Sequence, residues 1–113
     1  MITFHHIGFT EAAGFSECVA DYLSDDEYAK LQRTLALDPE RGDLIRHTGG
    51  ARKIRVALSG RGKRGGGRVV YYYQAAAMIH FLLIYAKSRQ EGLTPKQVEW
   101  VRSRVEEIKE GVR

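Results

Sequence analysis

The chain has little of what builds cross-linked, metal-bound or membrane-embedded proteins. Its 113 residues include one cysteine, Cys18, which excludes an internal disulfide and cannot hold a zinc ion alone. Cys18 falls in an amphipathic helical pattern and reads as a small core residue rather than a nucleophile. The longest apolar stretch, Ala75 to Ala86, is interrupted by His80 and is shorter than a bilayer span. Met1 to Thr10 lack the positive start and apolar run of a secretion signal. Together these absences predict a cytoplasmic protein without metal, redox cofactor or membrane contact.

A further absence concerns one sign of charge. From Leu44 to Gln90 the chain runs 47 residues with no Asp or Glu, yet that stretch carries Arg46, Arg52, Lys53, Arg55, Arg61, Lys63, Arg64, Arg68, Lys87 and Arg89. The rest of the chain holds all 14 acids against 8 lysines and arginines, so a net charge of +4 conceals +10 in the middle and −6 outside. Three or four lysines could merely keep a surface solvated. Ten cations without an acid point to a polyanion, nucleic acid first, bound with strong salt dependence because each neutralised phosphate releases counterions.

What is present fits one domain, residues 1–113, with a modest core: 43% of the residues are hydrophobic and 28% charged. Ile2 to Phe9 alternate loosely enough for a first strand, and Thr10 offers an N-cap for a helix with Phe15, Val19, Tyr22 and Leu23 on one face. Ser24 and Glu27 have capping-box spacing for a second helix, with Tyr28, Leu31 and Leu35 on its apolar stripe, ending before Pro39. After the turn-rich LDPERGD and TGG segments, β-branched and aromatic content predicts strands at Lys53 to Leu58, Arg68 to Gln74 and Met78 to Lys87. Their short connections favour an antiparallel meander. Thr94, Pro95 and Gln97 open a last helix whose buried side carries Leu93, Val98, Val101, Val105 and Ile108. The expected architecture is α+β, βααβββα, with a small, mostly antiparallel twisted sheet packed by helices.

Lys53 and Arg55 lie two apart on a strand and leave the same face, about 7 Å from each other. Arg68 opens the neighbouring strand and Lys87 closes the third, so all four could converge. Two cations of such a pair commonly just snorkel over a solvated face; four without an acid call for an anion. A lysine among cations gives up its proton more readily, which makes Lys53 or Lys87 a candidate base. Arginine instead clamps phosphate bidentately and stabilises charge building at phosphorus. Base and clamp together suit RNA cleavage by the 2′-hydroxyl, which needs no metal.

The loop SGRGKRGGG, Ser59 to Gly67, lacks the spacing of a triphosphate-binding loop and precedes no helix. It reads either as a flexible hairpin connection or as a basic loop whose Arg61, Lys63 and Arg64 track RNA phosphates. Tyr71, Tyr72 and Tyr73 must alternate between faces, leaving one or two free to stack on a base. Tyr85, two before Lys87, is a candidate for stacking or proton relay. Among the histidines, His80 interrupts an apolar strand and reads as structural, while His47, in a turn beside the basic strand, is a modest catalytic candidate.

Leu23 to about Ile108 resembles the RelE superfamily of bacterial toxins, most closely its HigB-type branch. The carrying segments are LSDDEY (Leu23 to Tyr28), LDPERGDLI (Leu37 to Ile45), TGGARKIRVA (Thr48 to Ala57), GKRGGGRVVYYY (Gly62 to Tyr73) and LLIYAKS (Leu82 to Ser88). The resemblance implies a RelE-like fold and a metal-free, ribosome-dependent messenger endoribonuclease. It implies restraint by a cognate helix-turn-helix antitoxin, through which alone operator DNA is contacted. By position, Lys53, Arg55 and Arg68 match cationic active-site positions of RelE-like toxins and Lys87 matches a basic residue near the end of the last strand, giving these four as the expected catalytic set; Arg52, Arg61, Lys63, Arg64, Tyr85 and Arg89 are the expected RNA-binding set. The chain departs from RelE itself in having Ser88 after the lysine and no tyrosine beyond Tyr85. The same fold serves ParE-type gyrase inhibitors, so a non-nucleolytic gyrase inhibitor and a plain RNA-binding module are the alternatives.

Overall fold

The computed structural model describes residues 7–58, 66–75 and 78–111. Three helices and five strands alternate in the order β1 (Gly8–Glu11), α1 (Ala13–Tyr22), α2 (Asp25–Leu37), β2 (Asp43–Leu44), β3 (Arg52–Val56), β4 (Gly67–Gln74), β5 (Met78–Ala86) and α3 (Pro95–Lys109). The sheet order is β1-β5-β4-β3-β2. β2 to β5 pair antiparallel, as a meander with short connections must, and β1 alone runs parallel, against β5. The α+β class and the mostly antiparallel sheet agree with the sequence. The full order is βααββββα, because the two-residue β2 lies inside the segment read as turns.

The sheet is covered on both faces. α1 and α2 bury Phe15, Leu31 and Leu35 against Val69, Tyr71, Ile79 and Phe81, while α3 buries Val101 and Val105 against Val70, Leu82 and Tyr85. α2 and α3 begin where their capping boxes predict: Glu27 N–H donates to Ser24 Oγ at 3.1 Å, and Gln97 N–H donates to Thr94 Oγ1 at 3.1 Å. The start of α1 differs from expectation. Thr10 is not its cap; it lies within β1, and the cap position is Ala12, which offers no side-chain bond. Ala12 N–H instead donates to Phe81 O at 2.9 Å, so the helix entry is fixed by the sheet. Among the described residues the first strand begins at Gly8, and residues 2 to 6 of the expected strand lie outside the described part.

One irregularity in β5 orients the site. Val70 pairs with Leu83 but Tyr71 pairs with Phe81, so Leu82 is an extra residue, a β-bulge. Phe81 and Tyr85 are four apart and would share a face in a regular strand. With the bulge between them, Phe81 packs under α1 and α2, and Tyr85 turns to the α3 side.

Candidate active site

On β3, Ile54 and Val56 pack toward α1 and α2, which sends Lys53 and Arg55 to the other face. Register then sets the neighbours. Arg55 pairs with Arg68, and Arg68 pairs with Tyr85, so these three form one row across β3, β4 and β5. Directly opposed residues of an antiparallel pair have Cα atoms about 4.5–5.5 Å apart, where like charges repel. An anion over the row would turn that repulsion into attraction.

β3 and β5 run in the same direction, both antiparallel to β4. Lys53 therefore stands two residues to one side of the row and Lys87 two residues past Tyr85 to the other, each about 7 Å from it along its chain. Lys87 lies just beyond the strand end, where its N–H donates to Gly66 O at 3.0 Å. Lys53 enters a cleft of about 430 Å³ that Arg46, His47 and Tyr85 also line, closed by Leu44, Ile45, Leu93 and Val98. A larger hollow of about 550 Å³ lies between α2 and the edge of β3. Its walls are mainly α2 and the β3 strand, Lys53 and Arg55 included, and of the two only the smaller cleft joins Lys53 to a tyrosine and a histidine.

Tyr85 is 5% exposed. Burial pushes its phenol up from the ordinary value, partly opposed by the nearby Arg68 guanidinium, so the proton stays on oxygen at neutral pH. The ring forms a wall of the cleft and presents little open surface.

Two polar assemblies hold this end of the sheet. The fully buried Tyr71 donates its hydroxyl to Pro39 O at 2.8 Å and accepts from Gly42 N–H at 2.9 Å. Arg52 adds bonds from Nη1 to Glu40 O at 3.0 Å and Gly42 O at 2.7 Å. Gly42 is required there, because a Cβ would stand 2.7 Å from Lys53 O. The second assembly is the turn from β2 to β3. Buried Thr48 donates to Ile45 O at 2.7 Å and accepts from Ala51 N–H at 3.1 Å, and Lys109 Nζ from α3 donates to Gly49 O at 2.7 Å.

Of the residues the sequence nominates, Lys53, Arg55, Arg68 and Tyr85 come together. Arg52 does not: it leaves the opposite face, and its guanidinium is bonded to the 40–42 backbone. Arg89 is exposed in the turn after β5, its N–H donating to Ala86 O at 3.0 Å. Arg61, Lys63 and Arg64 lie outside the described residues. The tyrosine run offers no open stacking platform: Tyr71 is core, Tyr73 packs against the α1–α2 cluster, and Tyr72 stacks on His80 at 6.4 Å beneath Lys109. His80 is structural, bonded through Nδ1 to Thr10 Oγ1 at 2.7 Å and through Nε2 to Gln74 Oε1 at 3.0 Å. Burial, then Arg104, lowers its pKa. Arg46, one of the cations of the basic stretch, lines the cleft because the TGG turn folds the chain back beside β3, and that turn is the signal in the sequence that points to it.

No helix among the described residues is long and apolar enough to cross a membrane. A family model described as the RelE toxin of the RelE / RelB toxin-antitoxin system matches residues 35–110, about two thirds of the 113. The match runs from the end of α2 through α3, including the arginine row and every wall of the cleft. With its five-stranded α+β architecture and this match, the chain belongs to the RelE family of toxin-antitoxin toxins.

Proposed function

We propose that this protein is a HigB-type toxin acting in the cytoplasm, a ribosome-dependent endoribonuclease that cuts messenger RNA by metal-free attack of a 2′-hydroxyl. A helix-turn-helix antitoxin would hold it in check and carry the contact with operator DNA. The observation that carries the reading is the row in which Arg55 and Arg68 stand directly opposed, flanked by Lys53 and Lys87. Family membership supports the toxin role and messenger cleavage as its general activity.

Arg55 and Arg68 bracket the scissile phosphate and stabilise the charge that gathers on its oxygens as phosphorus becomes five-coordinate. Lys53, as the free amine, takes the proton of the 2′-hydroxyl. The 2′ oxygen bonds to phosphorus, the bond from phosphorus to the 5′ oxygen breaks, and that oxygen leaves with a proton. The products are a 2′,3′-cyclic phosphate and a 5′-hydroxyl. Between the two lysines the geometry favours Lys53 as base, because it shares the cleft with Tyr85 whereas Lys87 lies past the strand end. Lys87, Arg89 and the loop cations Arg61, Lys63 and Arg64 bind flanking phosphates.

Primer extension on a translated message tests this. Wild type should give codon-phased stops only with ribosomes present, and Arg68→Ala should lose them. Intact message alongside impaired gyrase supercoiling would replace the reading with the gyrase alternative.

A further inference from the structure

The cleavage chemistry needs a proton for the departing oxygen, and the cleft holds four side chains that could exchange one: Arg46, His47, Lys53 and Tyr85. Arginine does not give up its proton at physiological pH. Lys53 is the base. Tyr85 is almost wholly covered, and burial strengthens its hold on the phenolic proton. His47 is exposed.

The backbone singles out the same residue. His47 has φ of 66°, the one positive value of a non-glycine residue in the described chain. Left-handed backbone is unfavourable for a residue with a Cβ and free of that penalty for glycine. The same turn uses glycine at its other two positive positions, Gly49 at 78° and Gly50 at 122°. Among the described residues the histidine ring has no hydrogen-bond partner to offset this, and the turn is held by Thr48 and Lys109. A left-handed backbone at a residue that lines the cleft and has no structural side-chain bond is the pattern of a residue kept for chemistry.

We propose that His47 is the general acid that protonates the departing 5′ oxygen. This rests on the endoribonuclease reading. As the phosphorus to 5′ oxygen bond breaks, that oxygen takes a proton from the imidazolium; Lys53 has meanwhile gained the 2′ proton, so the two side chains end with exchanged protonation. Arg46 and Lys53 line the cleft beside His47, and His47 also lines a second hollow of about 290 Å³ with Lys96, Glu99 and Arg102 of α3.

The test is single-turnover cleavage on programmed ribosomes of two messages, one with the natural 5′ oxygen and one with sulfur in its place at the cut. A thiolate leaves without protonation, so only the first message needs an acid. His47→Gly relieves the backbone and should melt at or above wild type; His47→Asn is a second variant compatible with left-handed backbone. Both should cut the oxygen message at least about 100-fold more slowly, the usual scale of a lost acid, and the sulfur message within a few-fold of wild type. Equal loss on both messages, or wild-type rates on the oxygen message, overturns the assignment. If wild type cuts neither message, the endoribonuclease reading fails and the acid with it.

Discussion

Neutralising Arg55 should stabilise the protein while disabling it. Arg55 is exposed, pairs directly with Arg68 and stands two residues from Lys53 on the same face, so two positive charges lie near its own. Taking charge centres about 7 Å apart in water-like dielectric, each neighbour repels it by about 0.6 kcal/mol, or about 1.2 kcal/mol together. Screening at physiological ionic strength, with a Debye length of about 8 Å, cuts this to about 0.5 kcal/mol, and 1 M salt nearly abolishes it. Arg55→Gln keeps most of the aliphatic stem, so little packing is lost with the charge. Urea unfolding of wild type and variant at 10 mM, 150 mM and 1 M sodium chloride reads the effect directly. The variant should be the more stable at low salt, the difference should shrink with salt, and ribosome-dependent cleavage should fall at every salt concentration. A variant less stable than wild type at low salt, or a difference indifferent to salt, would refute the claim that Arg55 sits in a self-repelling row.

Tyr71→Phe should destabilise by about 2–3 kcal/mol, since it removes two hydrogen bonds and strands the Gly42 N–H; thermal unfolding would show a drop of about 10 °C. Gly42→Ala should be comparably harmful, because its Cβ would press on Lys53 O and the Tyr71 ring; a wild-type melting temperature would argue against the close approach. His80 has its folded pKa depressed below the ordinary 6.5, so the folded state resists its protonation. Its contribution is intact above that value and is lost as pH falls below it toward the folded pKa. Denaturant midpoints from pH 7.5 to 5 should fall in wild type and fall less in His80→Gln, and parallel curves would contradict this.

How much was legible in the sequence depended on how local each signal was. The starts of α2 and α3 were readable because Ser24 with Glu27 and Thr94 with Gln97 are local capping signals, and the structure forms both boxes. The strands of the meander were readable from β-branched and aromatic content, and the Lys53–Arg55 pair followed from period-two alternation. Thr10 has the right chemistry for a cap, but long-range pairing with His80 on β5 takes it into β1. β2 is not legible in the sequence because Asp43–Leu44 has no strand pattern and exists only by pairing with Arg52 and Lys53. Arg52 looked equivalent to its neighbours in a run of cations, yet one residue of offset sends it to the other face. Tyr85 joins Arg68 because of the Leu82 bulge, which no local feature of LLIYAKS announces. His47 stood out as a turn histidine, whereas its strain is a property of the folded backbone.

With Arg55 and Arg68 as clamp and Lys53 as base, the nucleophile proposed is the message's own 2′-hydroxyl. A message carrying a single 2′-O-methyl nucleotide on the 5′ side of a mapped cut, translated with the wild-type protein, tests it most directly. This cut should disappear while neighbouring cuts persist, each leaving a 2′,3′-cyclic phosphate and a 5′-hydroxyl. Persistence of the cut at the methylated position, with a 5′-phosphate on the downstream fragment, would mean that water is the nucleophile and would contradict it.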